Sequence, residues 1–328
     1  VDIPAWLRIL LRPRIFIPVL LAAALLTFAL SITDLPVVMG HIRSLNWLVI
    51  AEVFVVAFAY LAFKALLFRY LLEKLDIHTS WKKFFLAYCI GEMTLPVPSG
   101  VYVQNYVLRR VHGEKFGLSS AATTYSLFLE GALTLTILVF FSIPHWDWLP
   151  QAIIALFAAA TLFVILLIRS QRLRRFLIKK RTGRRAVLFA GIRDLLVGLR
   201  TLSTASILFY GVLFSIAYLF CLALAFYLVG HGVGMVTLTF EQALTIYAFS
   251  LGVTLMLGGV MTQLGVIEVA GLGASQAWGY TLTQGLAMLL GFRIVWMGSV
   301  WLINGVMVLA LHGEFRPSTA NSTKKTLN

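Results

Sequence analysis

Six stretches of this 328-residue chain are apolar for long enough to cross a bilayer, and they leave too little sequence to build a water-soluble domain. They are residues 15–32, 46–68, 118–143, 149–168, 206–229 and 282–311. The hydrocarbon core is about 30 Å thick and offers the backbone no hydrogen-bond partners, so each run is expected as a helix. Only 12% of residues are charged, about half the share of a soluble domain. The first run follows Arg8, Arg12 and Arg14 and has no small-residue cleavage site, which predicts a retained span and not a signal peptide. The chain is therefore expected to be an all-α polytopic membrane protein, with one transmembrane domain over 1–316 and a polar tail over 317–328.

Two further apolar stretches are interrupted. Gly91, Pro96, Pro98 and Gly100 cut residues 84–108 into halves too short to span. Residues 240–280 carry Gly252, Gly258, Gly259, Gly265, Gly271 and Gly273, with a polar break at Thr262-Gln263. Each is predicted as a re-entrant broken-helix pair, one dipping in from each side, which is an inverted-repeat-like arrangement. If the second pair crosses twice, the count becomes eight spans. The Pro144-His145-Trp146-Asp147-Trp148 turn suits an interfacial aromatic belt. Of 27 Lys and Arg residues, Arg43 falls on the far side, Lys64 and Arg293 lie within spans, and the remaining 24 fall on the amino-terminal side. The excess of basic residues predicts cytoplasmic termini.

The net charge of +14 is carried in short loops, where an anionic leaflet and not nucleic acid is the natural partner. Residues 169–200 concentrate it, with eleven Lys or Arg and the single acid Asp194. Val187, Leu188, Ile192, Leu195, Leu196 and Leu199 recur there at helical spacing. This segment is expected to be a cytoplasmic amphipathic helix whose Arg184, Arg185 and Arg193 bind the membrane surface; a solvated basic connector is the alternative.

An ionisable side chain in hydrocarbon costs about 2.5–3.5 kcal/mol even on the lenient insertion scale, so each one needs a partner or a hydrated cavity. Glu92, Glu130, Glu268 and Arg293 are placed deep in the apolar stretches. Glu52 and Lys64 are read as snorkelling from opposite ends of their span. Three acids and one base do not cancel, which favours a hydrated pathway for a polar headgroup over a set of packing ion pairs. In the packing alternative, Glu268 and Glu130 are the candidate partners of Arg293. Cys89 and Cys221 sit in apolar runs without metal-ligand spacing, and no two of the six histidines stand at i, i+4. No metal or cofactor is expected. A membrane-embedded lipid-modifying enzyme using a carboxylate base, and a non-transporting scaffold, stay open.

Several of these segments occur together in a known family. Leu95-Pro96-Val97-Pro98-Ser99-Gly100 running on to Arg109-Arg110, Leu129-Glu130, Leu264-Gly265-Val266-Ile267-Glu268, Arg293 and the stretch Phe189 to Leu196 follow one another in its order. Across about residues 10–311 the chain resembles the flippase-like membrane domain shared by lysylphosphatidylglycerol synthases and many free-standing bacterial proteins. It departs from the family pattern at Val101, Gln104, Gly131 and Met261-Thr262-Gln263, where charges or glycines are usual. The resemblance implies lipid translocation between leaflets without the soluble synthase domain. It also implies a pathway that includes Gln104, Arg109 and Gln263 beside Glu92, Glu130, Glu268 and Arg293. The implied partners are membrane lipids, anionic or otherwise polar in headgroup, and a further copy of the chain.

Overall fold

The computed structural model describes residues 30–96, 100–142, 184–256 and 263–315, together with Leu20, Ala24 and Thr27. Every regular element among them is helical. Helix α1 (Leu35–Arg43) opens at Asp34, whose carboxylate accepts the Val37 N–H at 3.4 Å. Helix α2 (Trp47–Lys74) is capped by the Asn46 side chain, which accepts the Leu48 N–H at 3.2 Å. Then come α3 (Trp81–Met93), a 3-10 turn (Gly100–Tyr102), α4 (Val103–His112) and α5 (Phe116–Ser142). Beyond them lie α6 (Arg184–Leu202), α7 (Ala205–Gly232), α8 (Phe240–Met256), α9 (Gln263–Ala277) and α10 (Leu282–Leu311). Reciprocal bonds between Thr281 and Gln284 fix the start of α10.

Four of these helices are long and apolar enough to cross a membrane: α2, α5 as far as Phe141, α7 and α10. They coincide with four of the six expected spans. Most of 15–32, all of 149–168, the 144–148 turn, the basic lead-in 169–183 and the tail 317–328 lie outside the described residues. Helix α2 packs along α7, and α5 and α10 complete the bundle around them. Tyr88, Tyr218, Phe84 and Phe226 are buried in its core, whereas Trp47, Phe58, Phe209, Leu302 and Leu309 face outward. An apolar exterior of this kind suits lipid tails.

The first interrupted stretch is broken as its sequence predicts. Helix α3 stops at Thr94, whose hydroxyl donates back toward the Ile90 and Gly91 carbonyls at 3.0 and 2.9 Å. The chain then turns so tightly that a β-carbon on Gly100 would coincide with the Thr94 carbonyl oxygen, and only glycine fits. The two arms pack closely as well: a β-carbon on Gly91 would come within 2.6 Å of the Gln104 Cβ. The second stretch is likewise two helices, α8 and α9, with the residues between them outside those described.

Three boundaries differ from expectation. Helix α1 replaces an expected loop. Helix α2 continues past residue 68 to Lys74, because Arg69 pairs with Glu73 one turn on, at 2.7 Å, and stacks over the Trp81 ring at 4.5 Å. Helix α7 continues through Gly230 to Gly232, where a turn was expected, and the His231 ring bonds the Leu238 carbonyl at 2.9 Å. Helix α6 lies against α5, with Leu199 buried, Leu195 and Leu196 half-buried, and Ile192 and Val197 exposed. Part of its apolar stripe is thus spent on protein packing.

Candidate functional site

Both interrupted stretches border one cavity of about 460 Å³ in the middle of the bundle. Pro96 and Gly100 come to it from the first break, and Leu255 and Ile267 from the arms of the second. Lys64, Glu92, Glu130 and Arg293 put charge on its wall. Lys64, Glu130 and Arg293 sit well inside their helices, Lys64 ten residues before the end of α2, or about 15 Å, and Glu130 near the midpoint of α5, whereas Glu92 lies in the last turn of α3 beside the first break.

The charges are matched in two places. The Lys64 ammonium lies 3.1 Å from Glu92 Oε1 and donates to the Tyr60 hydroxyl at 2.7 Å. On the other side Arg293 holds Glu268 Oε1 with two nitrogens, Nη2 at 2.8 Å and Nε at 2.9 Å. The second Glu268 oxygen accepts the Gly265 N–H at 2.7 Å. Gly265 has φ of 84°, so regular helix geometry begins after it, and Glu268 reaches back three residues to cap that start. Glu268 itself does not line the cavity; it positions Arg293, which does. Of the two partners open to Arg293, the structure selects Glu268.

Glu130 differs from the other two acids. Its Oε2 accepts a bond from the Tyr218 hydroxyl at 3.4 Å, and no Lys or Arg among the described residues lies within ion-pair distance. Aromatic rings close the space around it: Tyr60 meets Tyr218 and Trp296 edge-on at 5.8 and 5.0 Å, and Trp296 stacks on Phe292 at 5.5 Å.

Gln104 lines the cavity and donates to the Thr123 hydroxyl at 2.9 Å. Asn105 donates to the same hydroxyl, also at 2.9 Å, which fastens α4 to α5. Arg109 is exposed near the end of α4 and is not among the cavity residues. Gln263 begins α9, but its side chain lies outside the described residues, as do those of Arg184 and Arg185. Arg193 is exposed on α6, 3.6 Å from Asp194.

The expectation that Lys64 snorkels from a helix end is corrected. Once α2 is seen to reach Lys74, Lys64 is interior and pairs with Glu92. The deep charges become three acids and two bases. Tyr60 and Trp296 line the cavity and Tyr218 is a core ring that bonds Glu130, and nothing in the sequence separates these roles. A Lys inside a 28-residue apolar helix was the available signal.

Two cations, and a carboxylate with no cation within ion-pair distance among the described residues, on the wall of a largely apolar cavity can receive a charged or zwitterionic group while its hydrocarbon remains outside. No curated protein and no solved structure gives a match to the chain. The profile of the family described as the lysylphosphatidylglycerol synthase TM region matches residues 15–303. With that match covering most of its length, the chain belongs to the family of lysylphosphatidylglycerol synthase transmembrane regions.

Proposed function

We propose that this multi-pass membrane protein of a lipid-handling family moves a lipid with an anionic or otherwise polar headgroup between leaflets. The carrying observation is the cavity itself: a largely apolar space bordered by both interrupted stretches, with Lys64 and Arg293 on its wall. In this reading the headgroup crosses through the cavity while the acyl chains stay in lipid. Arg293 grips a phosphodiester with the planar guanidinium that Glu268 holds in place. Gln104 and Gln263 add neutral hydrogen-bonding groups along the way, and Arg109 gathers anionic lipid near the mouth. The order long helix, broken pair, long helix occurs twice, as α2 to α5 and as α7 to α10. That recurrence supports an inverted-repeat-like architecture with re-entrant arms in a single domain over 1–316.

Purified protein in vesicles containing acyl-chain-labelled phosphatidylglycerol is expected to speed exposure of the label to a membrane-impermeant quencher. Exposure no faster than in protein-free vesicles sinks the reading. Orientation is tested separately. With both termini and α6 proposed to face the cytoplasm of a bacterial inner membrane, single cysteines at Ser203 and Ser318, in a background lacking Cys89 and Cys221, should label from the same side. Labelling from opposite faces overturns the proposed topology.

A further inference from the structure

Glu130 is the one carboxylate of the cavity wall with no cation of its own among the described residues. It is 8% exposed, and the Tyr218 hydroxyl is its bond partner. The charged and titratable groups around it can be named helix by helix. Helix α2 brings Lys64 and Tyr60, α3 brings Glu92 and Tyr88, the 3-10 turn brings Tyr102, α7 brings Tyr218, α8 brings Tyr247 and α10 brings Arg293. Helix α4 contributes only the uncharged Gln104 and Asn105 on this side. Helix α6 meets α5 near Gly117, where Asp194 lies, 13 residues or about 20 Å from Glu130.

With Lys64, Arg293, Glu92, Glu268 and Glu130 all ionised, this cluster carries a net charge of −1. A phosphodiester arriving alone takes it to −2 in a water-poor setting, where like charges repel strongly. A proton arriving with the phosphodiester leaves the cluster at −1. Lys64 and Arg293 are each held beside a carboxylate of their own. Glu130 has no such partner, so neutralising it breaks no ion pair.

We propose that Glu130 is a proton-binding site and that one proton is taken up there with each anionic headgroup that enters the cavity. The proposal rests on the lipid-translocation reading and adds its coupling ion. The carboxylate and a proton from water give the neutral carboxyl, and the same proton leaves to water when the headgroup departs. Binding is reciprocal: proton and anionic headgroup each strengthen the other's affinity by the same factor.

The test uses the full chain in vesicles with acyl-chain-labelled phosphatidylglycerol, whose phosphodiester keeps its charge through the range used. Between about pH 5.5 and 8.5 the exposure rate is expected to fall with rising pH, approaching about tenfold per pH unit on the alkaline side, as one proton per lipid requires. Histidine is the side chain whose ordinary pKa falls in this range and the chain has six, so the assignment rests on a variant. Glu130→Gln copies the protonated carboxyl and is expected to move lipid with a flat pH profile. Glu130→Asp is expected to keep the slope. A flat wild-type profile, a slope that survives in Glu130→Gln, or a folded Glu130→Gln protein inactive at every pH overturns the proposal and leaves translocation standing. Vesicles in which the wild type moves no lipid at any pH remove the translocation reading, and this proposal with it. Should Glu130→Gln fail to fold, wild-type protein in weakly buffered detergent decides. Adding short-chain phosphatidylglycerol is expected to draw about one proton per chain from solution, read by a pH dye, and no uptake overturns the proposal.

Discussion

Lys64→Met lowers the stability of the protein by about 3–5 kcal/mol, because it strands Glu92 without its cation. The Glu92 side chain is 3% exposed against 16% for Lys64, so the stranded carboxylate is the more poorly solvated partner. The reverse change is correspondingly milder: Glu92→Gln leaves Lys64 its Tyr60 bond and an amide oxygen to donate to, at a loss of about 1.5–3 kcal/mol. Combining Lys64→Met with Glu92→Gln recovers much of the loss, since a buried pair removed as a whole is tolerated better than one broken in half. Unfolding in detergent across the three variants checks the order. A Lys64→Met protein as stable as wild type would show that the pair contributes nothing to the fold.

Arg293→Met is expected to cost about 3 kcal/mol, at the lower edge of the same range, because Glu268 keeps the Gly265 N–H on its other oxygen. Arg293→Met with Glu268→Gln regains stability. It does not regain lipid movement, because the cavity has then lost its guanidinium. Arg293→Lys separates the two roles more sharply. It keeps a charge near Glu268 and loses the fork that binds two oxygens in one plane, so transport falls several-fold while unfolding shifts little. The measurements are the vesicle exposure assay and detergent unfolding on the same preparations. Full transport by a stable Arg293→Met protein contradicts any headgroup role for this residue.

The amount of this structure legible in the sequence depends on the distance over which each feature is decided. The first break was readable because local residues cause it: Gly100 is required by the Thr94 carbonyl, and the prolines lie beside it. The long helices were readable because the bilayer sets their length. Lys64 was misread through a local fact that composition hides. The Arg69 and Glu73 pair extends α2 by several residues and so moves Lys64 from the end of a helix to its interior. The pairing of Arg293 with Glu268 over Glu130 was not decidable, since it depends on how α9 lies against α10. Helix α1 was missed because nine residues with a proline in the first turn leave little periodicity to read.

The two buried ion pairs are alike in composition and opposite in their electrical setting. Glu92 lies in the last turn of α3, at the negative end of that helix's macrodipole, where a carboxylate is disfavoured and an ammonium is welcome. Glu268 lies near the start of α9, at the positive end, where a carboxylate is favoured even without a counter-charge. The field of α3 therefore tightens the hold on Lys64, whereas the field of α9 loosens the need for Arg293. Partly buried effects of this kind reach about 2 kcal/mol, enough to rank two otherwise similar contacts. Of the two carboxylates, Glu92 therefore depends more on its cation than Glu268 does.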